Sequence, residues 1–266
     1  MAVDLDGYFA RIGWAGARVP DFATLAGVLW AHTQKIPFEN FDVLLGRKIR
    51  LDLEGLQAKL VAGRRGGYCF EHATLLGAVL EELGFAVQRH ASRVVLMLPV
   101  TEVVRGHMFL SVAVEGAVFV VDPGFGAVGA RVPVPVDGNA VPAGRPTHRI
   151  VREGEVYVMH VTRQGEPAPG WVSTMEVENT VDFEMANYWT VSHAASQFTK
   201  IVMASAVTAK GRVNVMNREV TRMEADGTAK EVLADRRALR ALVAAEFGFD
   251  LPELETMRVP AVEGWR

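Results

Sequence analysis

The pattern of hydrophobic residues changes near Phe85, and this change limits the folds that the chain can adopt. Before it, apolar residues recur at helical spacing, as on the face formed by Leu5, Tyr8 and Ile12. After it, Gly and Pro turns separate β-branched runs, which predict strands over 87–98, 107–114, 117–122 and 155–161. The first third of the chain is therefore predicted to be helical, and the middle third to be a β domain.

The last third of the chain mixes the two patterns. Helices are predicted over 182–191 and 235–247, and strands over 201–208 and 214–221. We interpret this part as a small α/β lid. Within the middle third, four prolines in 132–146 predict a long loop or an edge excursion. Proline has no backbone N–H to donate to a neighbouring strand, so it is disfavoured in a central strand.

Two aspartates and one proline mark helix ends in the N-terminal third. Asp21 and Asp52 are predicted N-caps for helices that follow them directly. Pro37 disfavours helix at the preceding residue, so 36–41 is predicted to be an ordered loop. Its two aromatic residues, Phe38 and Phe41, either line a pocket or pack in the core.

The overall composition excludes several classes of partner. The chain has 266 residues, of which half are hydrophobic, and its formal net charge is −3. This gives no basic field for nucleic acid or for an anionic membrane. No run of eighteen apolar residues exists, and the N-terminus does not resemble a secretory signal. A single cysteine cannot form an internal disulfide. We expect a cytoplasmic protein with neither nucleic acid nor membrane as a partner.

That single cysteine, Cys69, follows a Gly66-Gly67 turn at the predicted start of a helix. The glycines are expected to adopt backbone angles that other residues avoid. Free N–H groups and the helix dipole at this end favour a thiolate, which is the nucleophilic form of cysteine. The alternative is that Cys69 is a small, inert hydrophobic residue in the core.

A histidine and an aspartate are predicted to meet on one β-hairpin. If Glu115-Gly116 is a two-residue turn, Val114 pairs with Ala117, and the register places His107 diagonal to Asp122. An imidazole and a carboxylate can close that distance. Cys69, His107 and Asp122 would then form a nucleophile, base and orienting group. Alternatively, Asp122 simply forms a turn with the Pro-Gly that follows it.

Other candidate motifs are weaker. His72 and the remaining histidines are interpreted as core or surface residues, and none shows zinc-ligand spacing, so we predict no metal. The sequence 124–129 has the letters of a dinucleotide fingerprint, but the prolines that follow leave no helix to hold a pyrophosphate. We interpret it as a loop whose backbone approaches a ligand, with Phe125 as an aromatic wall.

Taken together, these residues resemble the arylamine N-acetyltransferase family. The resemblance extends along the whole chain and rests on several segments in order: Arg65-Gly66-Gly67-Tyr68-Cys69-Phe70-Glu71-His72, Ile36-Pro37-Phe38-Glu39-Asn40, His107 on a strand, Val121-Asp122 before Gly124-Phe125-Gly126, and Asp182-Phe183-Glu184-Met185-Ala186-Asn187 with Ser192, Ser196 and Phe198 after it. It implies an α+β fold with an N-terminal helical bundle (1–84), a central antiparallel β-barrel (85–181) and a C-terminal α/β lid (182–266). It also implies a Cys-His-Asp triad like that of cysteine proteases.

The resemblance further assigns roles to individual residues. Acetyl-CoA is the implied acyl donor, and an aromatic amine or hydrazine the acceptor. Phe38, Phe125 and Phe198 are the implied substrate-binding residues, while Gly124 and Gly126 belong to a CoA-binding or active-site loop. Arg65 and Glu39 are expected to form a structural ion pair. This chain departs from the family at Ala73, where Asn is usual, and at Phe41, where Leu is commoner.

The expected mechanism is ping-pong, with an acetyl group held on Cys69 between two half-reactions. Three other functions remain open at this point. An amide synthase of the same family would act on a carrier-bound thioester. A transglutaminase-like cysteine hydrolase would use the same residues in the same chain order. A non-catalytic small-molecule binder would carry an inert thiol.

Overall fold

The computed structural model describes residues 2–139, 141–142, 147–163 and 166–265. The chain begins with helices, as predicted: α1 (Leu5–Ile12), α2 (Phe22–Lys35), α3 (Phe41–Leu44), α4 (Leu53–Leu56), which continues as a π-helical turn (Gln57–Ala62), and α5 (Cys69–Glu82). The predicted caps are confirmed, because Asp21 accepts from the Thr24 amide at 2.7 Å and Asp52 from the Gly55 amide at 3.0 Å. No helix within the described ranges is long and apolar enough to cross a membrane.

The middle of the chain forms an eight-stranded antiparallel sheet. Its strands are β2 (Ala86–Val94), β3 (His107–Val114), β4 (Ala117–Val121), β5 (Val134–Pro135), β6 (Val141–Pro142), β7 (Thr147–Glu153), β8 (Val156–Arg163) and β9 (Glu166–Ser173). Their spatial order is β5-β4-β3-β2-β9-β8-β7-β6. The sheet curls until β5, at one edge, contacts β7 near the other edge, so the barrel is nearly closed.

The proline-rich segment lies at the barrel edges, as the sequence predicts for its described part. The short strands β5 and β6 are the two edge strands, and Pro135 of β5 pairs with Phe119 of β4. Residues 140 and 143–146 of this segment lie outside the described residues. The fingerprint-like sequence 124–129 contains a 3-10 turn, Gly126–Val128, and the next element is the short strand β5 instead of a helix that could hold a pyrophosphate.

The C-terminal part consists of α6 (Thr180–Ser192), a sheet and α7 (Arg236–Leu242), which continues as a π-helical turn (Val243–Phe247). The sheet contains β10 (Met203–Val207), β11 (Gly211–Met216), β12 (Glu219–Glu224) and β13 (Gly227–Val232). The prediction of one strand over 214–221 is wrong. Asn217, at a φ of 55°, reverses the chain there and separates β11 from β12.

One strand of the C-terminal sheet comes from the N-terminal third. Residues Phe38–Glu39 form β1, which pairs with β10 as Phe38 opposite Ser205. The prediction of a loop over 36–41 is therefore wrong at these two residues, because the pairing partner lies far away in sequence. It is also wrong at Phe41, which begins α3. Through β1, the segment that carries Phe38 is fixed to both the helical and the C-terminal parts.

The buried apolar side chains of the described residues form three clusters. One lies among the helices and against β2 and β3, one fills the barrel, and one lies between the C-terminal sheet and its helices. The predicted α+β fold, with N-terminal helices, a barrel and a C-terminal sheet, is confirmed. The domain boundaries at 84 and 181 stay predictions.

Candidate active site

Cys69 is the first residue of α5 and is 3% exposed. Its amide and that of Phe70 lie in the first turn, where a helix provides no backbone acceptors for N–H groups. The Cys69 Sγ lies 3.8 Å from the carbonyl oxygen of Gly106, directly before β3. The nucleophile predicted from sequence therefore lies at a helix N-terminus and beside the strand that carries the predicted base.

His107 and Asp122 meet as the hairpin register predicts. Glu115 and Gly116 form the turn with φ values of 50° and 80°, and Val114 pairs with Ala117. The His107 Nε2 lies 2.9 Å from Asp122 Oδ2, and both side chains are buried. Since this bond occupies Nε2, Nδ1 is the ring nitrogen left to interact with Cys69.

The environment of His107 favours the imidazolium. Burial opposes its protonation, but the Asp122 carboxylate, its hydrogen bond and the neighbouring Cys69 outweigh burial and raise the pKa of His107 to about 10. At neutral pH the histidine is therefore positively charged between two groups that carry or can carry negative charge. Such an arrangement favours a thiolate–imidazolium pair.

Aromatic side chains fix the orientation of His107 and Asp122. Trp171 Nε1 on β9 donates a hydrogen bond to Asp122 Oδ2 at 3.0 Å, and its ring stacks on Phe109 at a centroid distance of 4.3 Å. The Phe125 ring lies 5.0 Å from the His107 ring and is only 8% exposed. Phe125, predicted as a wall for substrate, therefore packs against the base and within the barrel core. Sequence reasoning missed Trp171.

The loop that contains Gly124 and Gly126 packs on the nucleophile. A Cβ at Gly124 would lie 2.4 Å from the Cys69 Cα, closer than real Cβ atoms approach. Gly126 has a φ of 60° and lies beside the Phe38 ring. From β11, Arg212 donates to the carbonyl oxygens of Ala127 and, at 3.3 Å, Gly129. Arg212, which sequence reasoning also missed, ties the loop to the C-terminal sheet.

The other two predicted substrate residues are neighbours. Phe38 and Phe198 are half-buried, and their ring centroids are 6.5 Å apart. Phe198 also lies 5.3 Å from the Tyr68 ring. Tyr68 in turn donates a hydrogen bond to Asn187 on α6, which brings the C-terminal part against the start of α5. Phe38 and Phe198 thus lie together, whereas Phe125 packs on His107.

A buried ionic cluster lies under the turn that precedes Cys69. The ion pair implied by the family resemblance is present, with Arg65 Nη2 2.7 Å from Glu39 Oε1. Lys59 Nζ contacts both Asp42 and Glu71 at 2.8 Å. Two cations and three carboxylates are therefore paired around the first turn of α5, which lowers the cost of burying each charge. Nothing in the sequence spacing identified Lys59 or Asp42.

Gly66 and Gly67 serve a different purpose from the one that the sequence suggested. Neither has a positive φ, and the left-handed residue of this turn is Arg64, at a φ of 52°. A Cβ at Gly66 would lie 2.2 Å from the carbonyl oxygen of Pro37, and one at Gly67 would lie 2.6 Å from the Glu71 carboxylate. Close approach of the backbone, and not backbone angle, explains the two glycines.

This geometry defines a class of protein: a buried cysteine at a helix N-terminus, with a histidine oriented by an aspartate, has the arrangement of enzymes that form covalent thioester intermediates. Within the described ranges, no three His, Cys, Asp or Glu side chains converge as metal ligands.

Comparisons with known proteins narrow the class. A family model described as N-acetyltransferase matches residues 21–256. The arylamine N-acetyltransferase of Mycolicibacterium smegmatis is 38% identical over 273 residues, covering 98% of this chain and 97% of the relative. The arylamine N-acetyltransferase of Escherichia coli K12 is 33% identical, covering 95% of this chain and 91% of the relative.

Solved structures of arylamine N-acetyltransferases also match this chain. Arylamine N-acetyltransferase from M. smegmatis matches with a TM-score of 0.91 and 34% identity, covering 98% of this chain and all of that one. A complex of Mycobacterium marinum arylamine N-acetyltransferase with CoA matches with a TM-score of 0.89 and 32% identity, covering 94% of each chain. The chain belongs to the arylamine N-acetyltransferase family and is an acyltransferase.

Proposed function

We propose that this protein transfers the acetyl group of acetyl-CoA to the nitrogen of an arylamine or arylhydrazine, by a ping-pong mechanism through acetyl-Cys69. The observation that carries the proposal is the His107–Asp122 pair at 2.9 Å, beside a buried cysteine at a helix N-terminus. Family membership supports the reaction class, and the CoA complex of a relative supports the donor.

In the first half-reaction, the Cys69 thiolate attacks the thioester carbonyl of acetyl-CoA. The negative charge that develops on the carbonyl oxygen is stabilised by amides in the first turn of α5, of which Phe70 N–H is our candidate. The new C–S bond forms to Cys69, the C–S bond to CoA breaks, and the CoA sulfur takes a proton from the His107 imidazolium. Asp122 stabilises that imidazolium before the transfer and holds the ring in place afterwards.

In the second half-reaction, the amine nitrogen attacks the carbonyl carbon of acetyl-Cys69. Neutral His107 removes a proton from the amine, the C–S bond breaks, and the thiolate–imidazolium pair is restored. Phe38 and Phe198 are our proposed contacts for the aromatic acceptor, because both are half-exposed and adjacent. Phe125 acts mainly through its packing on His107.

We assign Gly124 and Gly126 to the active-site loop, where the absence of side chains keeps the backbone close to Cys69 and Phe38. We also propose that the protein acts in the cytoplasm, since a reducing compartment keeps its single thiol free. No metal takes part in the proposed reaction.

The experiment that tests this function measures the intermediate and the acceptor together. With acetyl-CoA and no amine, the intact mass should increase by one acetyl group located on Cys69, with release of one thiol. A panel of arylamines and arylhydrazines should then discharge the group and appear as acetylated products. A Cys69→Ala variant should take up no acetyl group, which controls for labelling elsewhere.

The same experiment separates the alternatives. A hydrolase would discharge acetyl-Cys69 to acetate without an amine. An amide synthase would react poorly with acetyl-CoA and small arylamines and would need a carrier-bound thioester. A non-catalytic binder would release no CoA at all. Any of these outcomes contradicts the proposal.

A further inference from the structure

Three side chains that the proposed reaction does not use form a buried chain of hydrogen bonds behind Cys69. Tyr8 Oη lies 2.8 Å from His32 Nδ1, and His32 Nε2 lies 2.8 Å from His72 Nδ1. His72 Nε2 then lies 3.1 Å from each of two carbonyl oxygens, those of Pro37 and Gly67. Tyr8 and His32 are fully buried, and His72 is 1% exposed.

The two carbonyls determine the direction of every bond in the chain. A carbonyl oxygen only accepts, so His72 must carry its proton on Nε2. In a neutral imidazole the other nitrogen accepts, so His72 Nδ1 receives a proton donated by His32 Nε2. By the same rule His32 Nδ1 accepts, and Tyr8 O–H donates to it. For two neutral imidazoles, only this assignment gives each of the four contacts a donor and an acceptor.

The surroundings keep both histidines neutral. Burial lowers the pKa of His72 to about 4, despite its bonds to Pro37 and Gly67, and burial likewise lowers the pKa of His32 well below its ordinary value. The charged groups that act on them, Arg11 on α1 and Lys59 after α4, are cations and oppose protonation further.

The chain ends where two active-site segments meet. Phe38 and Gly67 form a parallel bridge, in which Glu39 N–H donates to Gly67 O at 2.8 Å and Gly67 N–H donates to Pro37 O at 3.2 Å. His72 adds a third link by donating to both of those carbonyls. The bridge holds the backbone of Phe38 against that of Gly67, two residues before Cys69.

We propose that Tyr8, His32 and His72 are positioning residues: an ordered chain of neutral hydrogen bonds that fixes Phe38 relative to Cys69. No hydrogen bond among the described residues joins these three side chains to the His107–Asp122 pair or to the Cys69 sulfur, so the chain should affect the acceptor and not activation of the thiol. The acceptor part of this inference rests on the proposed function. The proton arrangement does not, because it follows from the contacts and from the burial that keeps both histidines neutral.

The proton arrangement can be tested without any substrate. Nitrogen NMR of protein labelled with ¹⁵N-histidine should show His32 and His72 as neutral imidazoles protonated on Nε2, unchanged between about pH 5.5 and 8. A Tyr8→Phe variant should perturb the His32 signals first, since it removes only the donor to His32 Nδ1. An Nδ1-protonated tautomer at either histidine, or titration of either near its ordinary pKa, would overturn the assignment.

The positioning role is tested by separating the two half-reactions. His72→Leu should leave the rate of Cys69 acetylation by acetyl-CoA within about twofold, while slowing discharge by an arylamine about tenfold or more, as expected when reacting groups are misplaced. His72→Gln can donate to the same carbonyls and should restore discharge. His193→Leu, at an exposed histidine on the C-terminal side of α6, is the matched control and should change neither rate.

Equal losses in both half-reactions, or a Gln variant as slow as the Leu variant, would refute the positioning role. If His72→Leu does not fold, Tyr8→Phe provides the same comparison with a smaller change, and an unchanged ratio of the two rates there would also refute it. If the wild-type protein forms no acetyl-Cys69 at all, the proposed function fails. The NMR result still tests the proton arrangement of the hydrogen-bond chain in that case.

Discussion

Replacing Asp122 with asparagine separates the charge of this residue from its hydrogen bonds. Asp122 Oδ2 accepts from His107 Nε2 at 2.9 Å and from Trp171 Nε1 at 3.0 Å. The Asn side-chain oxygen can accept both bonds. Oδ1 has no hydrogen-bond partner among the described residues, so an amide group in its place disrupts none there. The substitution therefore tests the negative charge.

The size of the effect follows from the environment of His107. Burial lowers its pKa, yet Asp122 and Cys69 together raise it from 6.5 to about 10. That interval corresponds to about 5 kcal/mol in favour of the imidazolium. Without the Asp122 charge, burial should dominate, and we expect His107 to be neutral at pH 7. The thiolate then loses its counter-charge.

Alkylation with iodoacetamide measures the outcome. In the wild type, Cys69 should react at a rate that changes little down to about pH 6, because its partner remains protonated. An ordinary thiol is only about 0.3% thiolate at that pH, so Asp122→Asn should slow alkylation there about 100-fold. Asp226→Asn, on the exposed β12–β13 turn, is the control and should react like the wild type.

The pH dependence of stability provides a second check. A group whose folded pKa is raised contributes stability that is complete below its unfolded pKa and is lost as pH rises through the folded pKa. For His107 that loss spans about pH 6.5 to 10. The difference in unfolding free energy between wild type and Asp122→Asn should therefore shrink over this range. If Cys69 in the Asp122→Asn variant were alkylated at pH 6 as fast as in the wild type, the charge argument would be refuted.

Three further substitutions test the supports of the site. Gly124→Ala places a Cβ 2.4 Å from the Cys69 Cα, so kcat should fall about 100-fold or more, which steady-state kinetics will show; unchanged kcat would contradict the close packing. Trp171→Phe keeps an aromatic ring against Phe109 but removes one hydrogen bond to Asp122, so Cys69 acetylation should slow about tenfold; circular dichroism should show a melting temperature lower by a few degrees, because the smaller ring leaves a cavity in the core. Phe125→Ala should destabilise the fold by about 3–5 kcal/mol in denaturant unfolding, because the ring is buried in the barrel; a raised KM for arylamines with full stability would instead support its predicted role as a substrate wall.

Contacts within one hairpin were predictable from the sequence. Alternation of side chains along a strand has a period of two, so a two-residue turn at Glu115-Gly116 determines which residues of β3 and β4 share a face. This places His107 and Asp122 together without knowledge of the rest of the fold. The N-caps at Asp21 and Asp52 were predictable for the same reason, since their partners lie three residues away.

Contacts between distant segments were not predictable in this way. Trp171 lies 49 residues after Asp122, on a strand that contains prolines, and no local pattern links the two. The pairing of Phe38 with Ser205 likewise depends on the packing of the C-terminal sheet. The family resemblance supplied one such contact, the Arg65–Glu39 ion pair, which residue spacing alone did not indicate.

The roles of glycines and histidines are also hard to predict from the sequence alone. A Gly-Gly pair in a sequence is compatible with either positive φ or close backbone approach, and only the position of Pro37 O shows that Gly66 needs the second. His72 was interpreted as a core or surface residue, and it is buried, as a core residue is. Its chain of bonds to His32 and Tyr8 joins helices whose relative packing the sequence does not specify.

The proposed mechanism requires that an acetyl group reside on Cys69 between reaction with the donor and reaction with the acceptor. The most direct test isolates the enzyme after reaction with acetyl-CoA, removes free CoA, and mixes it with an arylamine while intact mass is followed over time. We predict that acetyl-Cys69 decays at a rate proportional to amine concentration and equal to the appearance of acetylated amine, with slow loss to water in its absence. Failure to detect acetyl-Cys69, or a decay independent of amine, would contradict the mechanism.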